Sequence, residues 1–119
     1  MTKTMKNQSN SLAGKIRPDR MAMFMRKAYG ELSFDYEKLD GLLQDECWPE
    51  ASKLAHKLKS VVVLVDLNGL LPPLRTIEAI ELAEISSSDF QSNFRNQYRD
   101  SLQQFRQSIG EWSPHQSFC

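Results

Sequence analysis

Apolar residues along this chain recur at steps of three and four, the period of a helix with one buried face. Pro18 suits a first helical turn, and Met21, Phe24, Met25 and Ala28 follow at that spacing. Gly30 is expected to end this element. Ser33 is a suitable N-cap for the next helix, which carries Tyr36, Leu39, Leu42 and Leu43 on one side. Pro49 opens a third helix whose apolar stripe is Ala51, Leu54, Ala55, Leu58, Val61, Val62 and Val65. Its β-branched end could pass for a strand, but the upstream period carries through residues that strand alternation would put on opposite faces. Asp66, Asn68 and Gly69 signal a turn.

Pro72 and Pro73 fit only the first turn of a fourth helix, since a pair of interior prolines would break it. Leu74, Ile77, Ile80 and Ile85 give that helix its apolar side, with Glu78 and Glu81 in or beside it. Ser87 or Ser88 caps a fifth helix, and Ser88 with Gln91 fits a capping box. Phe90, Phe94, Tyr98, Leu102, Phe105 and Ile109 then repeat at four- and three-residue steps, a stripe with a core-packing reading. No hairpin, βαβ or repeat pattern is present. The expected fold is all-α, an antiparallel four-helix bundle with an additional N-terminal helix. Residues 1–16 read as a flexible leader, 17–112 as the helical domain and 113–119 as a tail that holds His115 and Cys119.

Composition narrows the chemistry. The 119 residues make one domain of ordinary globular composition. Fifteen basic residues balance fifteen acidic ones, so a general electrostatic attraction to nucleic acid or to a membrane surface has no support. The longest apolar run, Val61 to Val65, is far too short to cross a bilayer. No apolar segment follows the N-terminal lysines, so no signal peptide is indicated. Cys47 and Cys119 make no disulfide framework, and a reduced, cytoplasmic protein is expected. The scattered His and Cys residues give no metal-ligand spacing, and the five separated glycines give no phosphate loop.

One residue stands out on the third helix. At about 100° per residue, His56 lies roughly 170° from the centre of the apolar stripe and therefore faces solvent or a partner. Ser52, Lys53, Lys59, Ser60 and Val63 share its half of the helix, and Lys57 sits further round. A solvent-facing histidine among lysines is most often only a surface residue. Here Lys53, Lys57 and Lys59 surround the ring with positive charge in a neutral chain, a setting that attracts phosphate or an acidic partner. Val63 and Leu64 lie on the outer side as well, as docking residues would.

The segment AHKLKS at residues 55–60 resembles the signature of histidine-containing phosphotransfer domains, the carriers of two-component phosphorelays. That pattern is a His, an apolar residue two on, a Lys three on and a small residue four on; His56, Leu58, Lys59 and Ser60 stand there. Downstream, Leu70, Ile77 and Glu78 occupy the apolar and the apolar–acid positions fourteen, twenty-one and twenty-two after the His without a gap. Trp48 lies eight before it, where the family often has an aromatic residue. The resemblance spans roughly residues 18–110. The family usually has small residues, often glycine, where Val63 and Asp66 stand.

The resemblance implies that His56 accepts a phosphoryl group from a receiver-domain phospho-aspartate and passes it to another receiver. Lys59 would stabilise the phosphoryl oxygens, Ser60 would leave the ring accessible, and Glu78 would hold the second ring nitrogen. Lys53, Lys57, Val63 and Leu64 would contact the partner. The partners implied are receiver domains of a hybrid sensor kinase and of a response regulator, with Mg²⁺ on the receiver and no cofactor or metal on this chain. The chain is then a monomeric carrier without autokinase or nucleotide-binding activity. The dimerisation helices of a sensor kinase fit less well, because Lys57 follows the His and Ser60–Val61 stands where that motif has Thr–Pro. A helical protein-binding adaptor, with His56 incidental, is the other reading.

Overall fold

The computed structural model describes residues 18–112, so the expected leader and tail, with His115 and Cys119, lie outside the described residues. The described chain is all-α, with five α-helices and no strand. These are α1 (Pro18–Gln44), α2 (Trp48–Leu64), α3 (Leu71–Glu78), α4 (Leu82–Ile85) and α5 (Ser88–Trp112), with a 3₁₀ turn at Asn68–Leu70 before α3.

The first two expected helices are one. Met21, Ala28, Leu32, Leu39 and Leu43 are buried at seven- and four-residue steps, and Met25 and Tyr36 fill the gaps in the same stripe. The stripe runs unbroken past Gly30 and Ser33, which sit inside α1 as ordinary helical residues. An interior glycine costs a helix about 1 kcal/mol. Burying leucine side chains on both flanks contributes more, at about 1.5–3 kcal/mol each. There is accordingly no separate N-terminal helix among the described residues.

In α2, Pro49 occupies the first turn, where its missing N–H costs nothing, and Ala51, Leu54, Ala55, Leu58 and Val62 are buried. The helix ends at Leu64, and Asp66 turns the chain with φ 64°. Pro72 and Pro73 open α3 as expected, but that helix stops at Glu78. Ile80 takes φ 52°, a left-handed conformation uncommon for a β-branched residue, and a separate short α4 carries the buried Ile85. At the start of α5 the cap is Ser87, whose Oγ accepts the N–H of Phe90 at 3.0 Å. The Ser88–Gln91 capping box does not form; Gln91 Nε2 instead donates to the Ile85 carbonyl at 2.8 Å.

α1 packs against both α2 and α5, and α3 packs against α2. The α1–α5 seam is aromatic: Tyr29 meets Phe105, and Tyr36, Tyr98 and Phe94 form a continuous set of ring contacts. Since low numbers on α1 pair with high numbers on α5, the two run antiparallel. Tyr98 is fully buried, and its hydroxyl donates to the Leu32 carbonyl at 3.0 Å. Burial, with the nearby Asp35 charge and Tyr36 adding to it, pushes its phenol well above the ordinary tyrosine range. α2 thus lies between α1 and α3, buried on one stripe and open on the other.

Candidate functional site

His56 sits on the open stripe of α2, two residues before the buried Leu58 and one after the buried Ala55. Its side chain is 72% exposed. The ring is nonetheless held: Nδ1 lies 2.6 Å from Glu78 Oε2, at the last turn of α3. An ionised carboxylate can only accept, so Nδ1 carries the hydrogen of this bond. In the neutral ring the lone pair is then on Nε2.

Glu78 is shared. Its other oxygen, Oε1, lies 2.5 Å from Lys59 Nζ, so one carboxylate bridges imidazole and ammonium. The hydrogen bond from Lys59, then that from His56, hold the Glu78 carboxyl below its ordinary range, against a smaller opposing effect of desolvation. The backbone at this point is fixed independently: Ser52 Oγ, one turn before His56, donates to the Glu78 carbonyl at 2.6 Å. Ser52 and Ser60 flank His56 four residues to either side, so small side chains stand both below and above the ring on one helix face.

The uncompensated ring of lysines expected from the sequence is not present. Lys59 is tied to Glu78, and Lys57 Nζ lies 3.0 Å from Asp35 Oδ2 on α1. Lys53 is exposed, without an ion-pair partner among the described residues. The reason is that α1 and α3 each bring one carboxylate to the edges of α2, and pattern along α2 alone cannot reveal acids that arrive from other helices.

Val63 and Leu64 are both half exposed, on different shoulders of α2. Val63 lines a shallow hollow of about 470 Å³ with Lys59, Ser60, Leu71 and Arg75, on the α3 side. Leu64 lines another with Phe24, Lys27 and Val61, on the α1 side. A larger groove of about 770 Å³ runs along the α1–α2 seam, bordered by Phe34, Asp35, Leu42, Lys53, Leu54 and Lys57. Phe34 is 70% exposed there. Asp66, ten residues after His56, is in the left-handed region that glycine occupies without strain, and aspartate is among the side chains that tolerate it best.

Sequence reasoning missed Asp35 and Arg75 in this neighbourhood and placed Ser52 on the His56 face without giving it a role. Asp35 is buried at 4% exposure. Its place three residues after Leu32 and four before Leu39 already put it beside the core stripe. Ser52 is marked by its spacing from His56. Arg75, exposed on the hollow beside Ser60, lies one turn before Glu78 on α3.

Among the described residues no group of three or more His, Cys, Asp or Glu could hold a metal ion, and no helix is long and apolar enough to cross a membrane. The chain matches no family model, no curated protein and no solved structure.

Proposed function

We propose that this chain is a phosphorelay carrier with His56 as the phosphoryl acceptor. The observation that carries the reading is the bond from Nδ1 of an exposed imidazole to Glu78, which leaves Nε2 as the nucleophile. Nε2 attacks the phosphorus of a phospho-aspartate on a receiver domain; the N–P bond forms as the P–O bond to the aspartate breaks, and the electron pair leaves with that carboxylate. Transfer to a second receiver runs the same step in reverse. Such transfer needs positioning and charge stabilisation more than covalent chemistry. Glu78 fixes the ring, and Lys59 moves from Glu78 to the transferred oxygens as negative charge accumulates there. Ser60 leaves room for in-line approach.

On this reading α1, α2, α3 and α5 form the antiparallel four-helix bundle of a phosphotransfer domain. The chain works as a cytoplasmic monomer between a hybrid sensor kinase and a response regulator, whose receivers supply Mg²⁺. It is then a carrier rather than an enzyme. Incubation with a phosphorylated receiver domain tests this. Acid-labile label should appear on the wild-type chain and be absent from His56→Gln; equal label on both would remove His56 from the mechanism. The exposed Phe34 in the α1–α2 groove favours a second reading, a helical adaptor that binds protein without phosphoryl transfer. Binding of receivers without label on either chain would select it.

A further inference from the structure

The lysine next to the acceptor histidine is directed away from it. Lys57 is 57% exposed along its side chain, yet its ammonium lies 3.0 Å from Asp35, whose side chain is only 6% exposed. Lys57 is the cation that the structure pairs with Asp35. A buried carboxylate left without its cation is strongly disfavoured, whereas a lysine on a flexible stem is free to choose its acid. The carboxylate therefore dictates where the ammonium sits. His56 and Lys59 lean the other way, to Glu78 on α3.

We propose that Asp35 is a positioning residue that withholds Lys57 from the face around His56. A partner approaching His56 then meets free or transferable cations at Lys59 and Arg75 on the α3 side and at Lys53 on the α1 side, while Lys57 is held back. The groove on the α1 side, headed by the exposed Phe34, carries Lys53 beside the tethered Lys57. The device weakens the hold on an acidic partner at the α1 shoulder by denying it one of the two α2 lysines there. The tether itself stands apart from the phosphocarrier reading; its effect on transfer rests on that reading.

Two measurements separate the tether from its consequence. The first is the rate at which a soluble amine-acylating reagent modifies Lys57 relative to Lys53 in the same chain, read by mass spectrometry. Asp35→Asn should raise that ratio about two- to fivefold, the factor a partly exposed ion pair is worth. Asp35→Leu, an apolar replacement for the buried acid, should do the same with the helix content unchanged. An unchanged ratio in both variants overturns the tether. The second is the receiver concentration that half-saturates label transfer from a phosphorylated receiver domain. Asp35→Asn should lower it at low salt, with the gain lost in raised salt and in the Asp35→Asn/Lys57→Gln pair. A gain that persists without Lys57 overturns the positioning role. If wild type takes no label at all, the carrier reading fails, and the acylation ratio still decides the tether.

Discussion

Truncating Glu78 separates holding the ring from shaping the fold. Glu78→Ala removes both carboxylate contacts, to His56 Nδ1 at 2.6 Å and to Lys59 Nζ at 2.5 Å, while Ser52 still bonds the backbone carbonyl at this position. The helix end should therefore stay in place, and circular dichroism should be unchanged. The His56 side chain is 72% exposed and the Glu78 carboxylate is open to water, so solvent screens the bond. Transfer should slow by a factor of about two to five, the range of an exposed ion pair. Glu78→Gln keeps an oxygen that accepts from Nδ1–H but loses the ion pair that restrains Lys59. Its rate should thus lie close to wild type, with Lys59 freed rather than lost. The assay is single-turnover transfer from a phosphorylated receiver, at a fixed pH and salt. Equal rates in Glu78→Ala and wild type, with the fold intact, would refute the claim that this carboxylate prepares the nucleophile.

Further outcomes concern the scaffold and its pH response. Glu46, exposed at the end of α1, has φ 61°, so Glu46→Gly should relieve about 1 kcal/mol of left-handed strain and raise the melting temperature by a few degrees; a lower melting temperature would contradict that geometry. Tyr98→Phe removes a buried donor to the Leu32 carbonyl and should cost about 1 kcal/mol in denaturant unfolding at neutral pH. Because the native phenol is held above its unfolded value, its contribution is complete below that value and declines as pH rises, so the deficit of Tyr98→Phe should narrow above about pH 10. Glu78 has the opposite sign. Its native pKa is lowered, so its contribution is present above the unfolded glutamate value and is lost as pH falls through the native one. NMR of the Glu78 carboxyl carbon should show a midpoint below the ordinary glutamate value, and the difference should vanish in Lys59→Met/His56→Gln.

The helices were legible wherever burial on one face was continuous. The stripe of α2 and the Pro-marked starts of α2 and α3 follow from residues that act locally. Two boundaries were not legible, for opposite reasons. Gly30 has the local signature of a stop, but Leu32 continues the buried stripe past it, and tertiary burial outweighs the propensity of one residue. At Ile80 the apolar period continues while the helix does not. The chain turns through φ 52° there, and no glycine or asparagine marks the reversal. A strained residue two positions after Glu78 ends α3 where its last turn can face α2, so the irregularity that pattern reading missed also helps to place the carboxylate.

The candidate site divides along the same line. That His56 faces outward follows from its angle on one helix, and angle alone sufficed. What the surrounding lysines do does not follow, because their partners arrive from α1 and α3. The sequence suggests a positive patch; the structure holds two neutral pairs, each ready to release a cation at a different cost. Glu78 is partly exposed, and water can take over its charge when Lys59 departs. Asp35 is buried, and water cannot do so when Lys57 departs. Two lysines that look interchangeable one residue either side of Leu58 are therefore unequal: on the carrier reading, Lys59 is released to a developing negative charge more readily than Lys57. Burial of the acid, rather than proximity of the base to His56, decides which lysine is released more readily.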